Sequence, residues 1–253
     1  MIALLGNLSR DYLPGVAPRV GGGAYHGARA LQRLRVPARI LTCCAGSDRD
    51  ALLPPLVRLG TPVRYRSGES TAAFSISYEG DRRTMVVEEL GDVWQVSDVS
   101  DLRARWIHIA PLSRVEWPTA TLAGLARRHR ISYDGQGLVR PARTGPLQLD
   151  DDFDRELLRF IWVLKLADDE AEVVGDIAAL GVREVLVTHG SRGSTVYYGG
   201  QREHVPAHPV DRDPTGAGDA FATSYIVARN AGFSPVGAAR RATAVVASLL
   251  QQP

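Results

Sequence analysis

Asp213-Pro214-Thr215-Gly216-Ala217-Gly218-Asp219-Ala220-Phe221 runs directly into Ala222-Thr223-Ser224-Tyr225-Ile226-Val227-Ala228, a stretch with helical character. Gly216, Ala217 and Gly218 are small, so the backbone can approach an anion closely. A small-residue turn opening a helix presents free N–H groups and the positive end of the helix dipole, which suits phosphate. Asp219 falls inside that anion site, where phosphate would repel a carboxylate. Its presence is explained if it takes a proton from a hydroxyl attacking the phosphorus. The alternative is a tight turn before a core helix, which does not require so many small residues together with an aspartate.

Outward from this stretch, short apolar runs alternate with helical ones. Strands are expected at Ile2–Leu5, Arg39–Cys43, Trp106–Ile109, Ile131–Tyr133, Ile161–Leu164 and Glu184–Thr188. Helices are expected at Tyr25–Leu34, Asp48–Leu59, Thr119–His129, Asp151–Arg159 and Asp168–Leu180, with Gly218–Arg229 and Pro235–Leu250 closing the chain. Such alternation predicts an α/β domain over 1–253, with a mostly parallel central sheet and helices on both faces. One region breaks the rhythm. Ala72–Tyr78 and Thr84–Glu88 flank Glu79-Gly80-Asp81 and read as a hairpin, which Val63–Tyr65 could extend into a small projecting sheet over about 63–90. An ordinary edge hairpin is the other reading.

Composition excludes several classes. Thirty basic and 28 acidic residues leave a net charge of +2, so nothing points to a nucleic-acid or membrane partner. The two cysteines, Cys43 and Cys44, are adjacent and make a poor disulfide framework or metal site. No basic segment precedes a long apolar run, and no apolar run could span a bilayer, so a reduced, cytoplasmic protein is expected. Lys165 is the only lysine in the chain.

The stretch 213–221 resembles the C-terminal signature of the ribokinase-like (PfkB) carbohydrate kinases, Asp-Thr-Thr-Gly-Ala-Gly-Asp-x-Phe, with Pro214 at the second place. The resemblance implies a kinase that moves the γ-phosphate of ATP, with Mg2+, to a hydroxyl of a small polyol or sugar. It makes Asp219 the base and the turn Gly216, Ala217 and Gly218 the anion hole. It also admits a monovalent cation and a homodimer formed through the hairpin, which becomes a lid over the acceptor. Gly6-Asn7-Leu8-Ser9-Arg10-Asp11 is similar to the family's Gly-x-x-x-x-Asp, so Asp11 would accept hydrogen bonds from acceptor hydroxyls; a solvated loop aspartate is the alternative. Gly22 and Gly23, within Gly21-Gly22-Gly23, stand for the family's glycine pair. His26 takes the place of the asparagine that follows it, and could as well be a core or helix-surface histidine. Arg83, on the hairpin, joins the implied acceptor contacts.

Lys165-Leu166-Ala167-Asp168-Asp169-Glu170 resembles the family's Asn-x-x-Glu element near magnesium, with Glu170 on the glutamate and Ala167 on the asparagine. Asp168 and Asp169 could compensate, or simply complement a helix dipole. Thr188-His189-Gly190-Ser191-Arg192-Gly193 resembles the nucleotide loop, so Thr188, Gly190, Gly193 and Thr215 would contact ATP; a glycine-rich hairpin turn would look similar. The Ala- and Val-rich Ala238–Leu250 would wall the adenine, and the stop at Pro253 is expected to leave the far wall open. Asp134-Gly135-Gln136-Gly137 replaces the usual Asp-x-Asn, and with His26 resembles the myo-inositol kinase branch, placing Asp134 and Gln136 at the acceptor. Alternatives are a ketohexose, deoxy-sugar acid, ribose or nucleoside acceptor, the last using Phe74, Tyr78 and Trp94. A different class, a catalytically silent nucleotide- or sugar-binding module, is motivated by Ala167 and His26 and opposed by Asp219 and the intact turn.

Overall fold

Strand β1, Ile2–Asn7, is buried along its whole length, as a near-continuous apolar run in a parallel sheet should be. Ala3 and Leu5 enter one core and Ile2 and Leu4 the other, so the strand divides two helical layers. The computed structural model describes residues 1–79, 82–207 and 215–251, with 78, 79, 82 and 83 by backbone alone. After β1 come β2 (Ser9–Tyr12), β3 (Arg19–Gly21), α1 (Gly23–Leu34), β4 (Ala38–Ala45), α2 (Arg49–Val57) and β5 (Val63–Gly68). The middle holds β6 (Ala72–Glu79), β7 (Arg82–Glu89), α3 (Val96–Val99), β8 (Trp106–Ile109), α4 (Thr119–Ala126), β9 (Arg130–Asp134), α5 (Gln136–Val139) and β10 (Gly145–Pro146). The remainder is β11 (Ile161–Ala167), α6 (Asp168–Val174), β12 (Glu184–Thr188), β13 (Ser194–Tyr198), β14 (Gln201–Val205), α7 (Ala217–Asn230) and α8 (Pro235–Leu250).

Among the described residues, nine strands form the large sheet in the order β14-β13-β12-β11-β9-β8-β1-β4-β5. All neighbours from β12 to β5 are parallel, and β13 and β14 add an antiparallel edge. Helices α4 and α6 supply Leu122, Leu125 and Val174 to one core, while α1, α7 and α8 supply Leu31, Phe221, Tyr225 and Ala242 to the other. The expected α/β layering is therefore present.

The small sheet has the order β10-β7-β6-β2-β3 and its own core of Phe74, Ile76, Val87 and Leu112. Two expectations are corrected here. Val63–Tyr65 does not belong to this sheet: β5 pairs with β4 at the edge of the large one. Its place is taken by β2 and β3, so Asp11 lies on a strand and not in a loop. Elsewhere the helix expected at Asp151–Arg159 is a 3-10 turn over Arg155–Phe160, because the Asp154 side chain caps Glu156 N–H at 2.9 Å and starts a tighter turn. The helix expected to reach Leu180 ends at Val174, where Gly175 turns to φ +82°.

The small sheet is anchored by polar side chains at its root. Asp92, just beyond β7, accepts from Glu69 N–H (2.9 Å), Ser70 N–H (3.1 Å) and Ser70 Oγ (3.0 Å), just before β6. Asn7, at the end of β1, donates to Asp92 O at 2.8 Å and accepts from Trp94 Nε1 at 2.8 Å. Trp94 stacks on Trp117 with ring centroids 5.0 Å apart. Beneath them Glu116 is fully buried and accepts Leu112 N–H at 3.0 Å. Burial pushes its carboxyl up to about 8, against the Leu112 and Asn7 hydrogen bonds and the Arg140 charge. A folded-state value raised in this way stabilises the protein fully below the ordinary glutamate range. That contribution is lost as pH rises through about 8. Glu116→Gln keeps the neutral shape and lacks the titration. Its melting temperature should therefore rise relative to the parent between pH 5 and 8 and stay level above; parallel curves would mean that Glu116 is already ionised in the fold.

Candidate active site

The strand order reverses direction beside β1, which has β4 on one side and β8 on the other. In open parallel sheets the crevice beyond the carboxyl ends of the strands at such a point is where ligands bind. The chain around it is shaped by close approaches. A Cβ on Gly6 would strike the carbonyl of Ala110, the residue after β8. A Cβ on Gly23, the first residue of α1, would strike Ala110 and stand 2.6 Å from Asp219 Oδ1. Gly22 holds φ +94° to turn the chain into α1. Helix α7 packs on α1, β1, β8 and β9, so its N-terminus lies over this crevice with Gly216 at φ +78° as its cap.

Three of the side chains named from sequence, those of Asp219, Asp11 and His26, meet glycines here. Asp219 rests against Gly23, and the Asp11 carboxylate rests against Gly21, where a Cβ would lie 2.6 Å from Oδ1. The two carboxylates thus flank a glycine segment that spans roughly 7 Å. Ser9 Oγ donates to Asp11 Oδ1 at 2.7 Å and fixes its orientation. His26 lies against the α-carbon of Gly216, with its ring edge-on to Tyr25 at 5.4 Å. It therefore supports the turn of the anion site, and the absence of a Cβ at Gly216 is what makes room for it.

Lys165 is the site residue that the sequence reading passed over. It lies near the carboxyl end of β11, buried, with Nζ 3.4 Å from Asp134 Oδ2 and 3.9 Å from Glu170 Oε2. A Cβ on Gly218 would be 3.1 Å from the same Nζ, so the ammonium lies under the first turn of α7. Burial opposes its charge, but Asp134, Glu170 and Asp219 outweigh it and hold the ammonium above the ordinary lysine range. One signal was available: a single lysine retained among thirty basic residues, inside the apolar strand Trp162-Val163-Leu164-Lys165-Leu166.

Glu170 is buried, caps Ala167 N–H at 2.8 Å, and is pushed upward by burial against the pull of Lys165. Asp134 accepts Gln136 N–H at 3.3 Å, and both residues are buried. Among the described residues no group of three or more His, Cys, Asp or Glu side chains could hold a metal ion. Asp134 and Glu170 instead face the ammonium of Lys165. These residues fit a magnesium ion only as one carried in on donor phosphates, with water completing its shell.

The segment Thr188–Gly193 lies at the end of β12. Thr188 Oγ1 donates to Leu166 O at 3.2 Å, joining it to β11. Gly190 has φ +57° and Gly193 φ +102°, the latter packed against the backbone of residues 205–207. Asp168, offered above as a stand-in metal ligand, instead pairs with His189 and with Arg192 Nη2 at 2.6 Å. Asp169 accepts Glu170 N–H at 3.0 Å. Both acidic residues are thus engaged in shaping the start of α6 and the neighbouring loop. Thr215 borders the turn before α7. The Arg83 side chain, Asp213 and Pro214 lie outside the described residues.

Comparison with known proteins bears on the fold and on the C-terminal part of the chain. Residues 154–253 match the model of the pfkB family carbohydrate kinases. An inositol 3-kinase of Zea mays is 34% identical over 109 residues, which is 43% of this chain and 27% of that enzyme's length. A pyrophosphate-dependent kinase in the ribokinase family, solved with a pyrophosphate analog and myo-inositol, superimposes with a TM-score of 0.89 at 24% identity, covering 100% of this chain and 96% of the other. A nucleoside kinase of Burkholderia thailandensis in complex with inosine gives 0.79 at 20%, covering 100% and 92%. The ribokinase of Thermotoga maritima gives 0.71 at 19%, covering 99% and 93%. The fold is ribokinase-like.

Proposed function

From a chain whose residues 154–253 carry the pfkB carbohydrate kinase pattern on a ribokinase-like fold, we propose a phosphotransferase acting on a hydroxyl of a small polyol or sugar, with myo-inositol the first choice. One observation carries the reading. Asp219 and Lys165 flank the same helix N-terminus, the carboxylate against Gly23 and the ammonium under Gly218. A base and a cation beside one anion-binding turn is what transfer of a phosphoryl group to an alcohol requires.

Each residue then has a role. Asp11 accepts hydrogen bonds from acceptor hydroxyls that do not react. Asp219 takes the proton of the hydroxyl that does. The N–H groups at Ala217, Gly218 and Asp219, with Lys165, hold the charge of the transferring phosphoryl group. Asp134 and Glu170 keep Lys165 charged and in place. Magnesium, when it arrives with the donor, supplies further charge neutralisation. The small sheet covers the acceptor and excludes water.

The expected donor is ATP, held along Thr188, Gly190, Gly193 and Thr215. Pyrophosphate is the second reading, favoured because it is the donor of the kinase that superimposes at a TM-score of 0.89. Both donors present a terminal phosphoryl group to the same turn, and they differ only in what lies behind it. Coupled assays with each donor, across inositols, ketohexoses, ribose and nucleosides, test both points. Turnover of myo-inositol with either donor upholds the polyol reading and names the donor. Turnover of nucleosides alone removes the polyol reading and leaves the kinase. No turnover with any pair removes the kinase as well and restores the silent binding module.

A further inference from the structure

The opposite end of the large sheet carries a second, unrelated concentration of charge. Arg105 immediately precedes β8, Arg130 opens β9, Arg159 lies two residues before β11 and Arg183 immediately precedes β12. These four strands are neighbours in the order β8-β9-β11-β12. Adjacent parallel strands therefore deliver an arginine each to one edge, at a spacing of roughly 4.8 Å and over about 15 Å in all. The arginines line an open cavity of about 370 Å³, joined by Arg128, His129 and Trp162. Among the described residues no acidic one lines it.

Two of these side chains, Arg130 and Arg183, are ordered without being neutralised. The Arg183 guanidinium stands 4.1 Å from the centroid of the Trp162 ring and that of Arg130 stands 4.3 Å from it. Arg130 also covers Trp106, 5.5 Å away, and the two indoles meet edge to face at 6.1 Å. Stacking fixes the plane of a guanidinium while leaving its in-plane N–H donors unused. Of the nearby acids, Glu156 pairs with exposed Arg159, and Glu184 is taken up by Arg229 and Tyr225. Arg105, Arg130 and Arg183 have no carboxylate partner among the described residues. Like charges carried on adjacent strand ends repel one another, and an oxyanion that bridged them would relieve the repulsion.

We infer that this cavity is a binding site for a small polyanion carrying two or more phosphate groups, separate from the phosphotransfer site at the other end of the strands. The spacing of the row suits phosphates linked in a chain or set around a ring, and the cavity volume suits a metabolite. The inference does not rest on the kinase reading.

Calorimetric titration of the parent with inorganic tripolyphosphate and with myo-inositol hexakisphosphate tests it, against Arg130→Gln/Arg183→Gln and Arg105→Gln/Arg159→Gln. Tripolyphosphate also fits the turn at α7, so the readout is the difference between parent and variant. The parent should show one more class of site than either variant, or a class at least tenfold tighter, weakening steeply with salt. Phosphotransfer should be unchanged in both variants. The second pair leaves the stacked arginines untouched, so it reports even if the first misfolds. The tighter of the two probes identifies whether a linear or a ring-borne polyphosphate is preferred. Superimposable isotherms in parent and variants would overturn the site. So would binding that appears only with a long polyanion such as heparin, which marks a charged surface rather than a cavity.

Discussion

Asp219→Asn should fold as the parent does and lose turnover by about a hundredfold or more, which corresponds to roughly 2.7 kcal/mol of transition-state stabilisation. The amide keeps the shape that rests against Gly23 and removes only the proton acceptor. It also removes one of the negative charges that hold Lys165 charged. Asp134 and Glu170 remain within 3.4 and 3.9 Å of Nζ, so the ammonium should persist and donor binding should change little. The expected pattern in steady-state kinetics is a collapse of kcat with donor KM nearly constant. Near-normal kcat would take Asp219 out of the reaction. A collapse of donor binding alone would make it a partner of Lys165 instead of a base.

Asp11→Ala should raise acceptor KM by tenfold or more and leave donor KM nearly unchanged. A hydrogen bond to a charged group contributes about 1.5–3 kcal/mol, and a site built for several hydroxyls loses more when its acceptor is deleted. Asp11 rests against Gly21 and Asp219 against Gly23, at opposite ends of the glycine segment, and only Asp219 borders the turn that would hold the donor. Asp11→Asn is the companion variant: it keeps the fit to Ser9 and Gly21 and should lose less. Deoxy analogues of the acceptor should lose more against the parent than against Asp11→Ala. If Asp11→Ala alters only the donor parameters, the acceptor lies elsewhere.

The elements legible from sequence were those whose apolar runs are buried on both faces or whose ends are marked. Trp106–Ile109, Glu184–Thr188 and Pro235–Leu250 appear with the expected limits, the last opened by Ser234 accepting Gly237 N–H. The elements that were missed have no such signal. Strands β2 and β3 are short and partly exposed, and the segment between them contains Pro14, Gly15 and Pro18. The pairing of β2 with β6 depends on contacts more than sixty residues apart, which local pattern does not encode. Val63–Tyr65 was drawn to the wrong sheet because an edge strand alternates in the same way whichever neighbour it joins. In the site, Asp219 was named from the small-residue turn around it, whereas Asp11, Gly22 and Gly23 were named only through the family resemblance, since a lone aspartate or a glycine pair has other uses. Lys165 could not, because a lysine inside an apolar strand has meaning only once Asp134, Glu170 and the turn of α7 are seen around it.

The burial of the chain's one ε-amino group has a practical consequence for following the protein in solution. Reductive methylation with isotopically labelled formaldehyde can mark only two places, the α-amino group and Lys165. With Lys165 only 7% exposed and held charged, the α-amino group should react first and the lysine much more slowly. The rate of the slow labelling event then reports how readily the buried ammonium gives up its proton to solvent and meets the reagent. Once in place, the dimethylammonium is a single resonance at the floor of the crevice, free of overlap from any other lysine. Its shift with each added compound reports which ones reach the turn of α7, with no need for turnover or for a coupled enzyme.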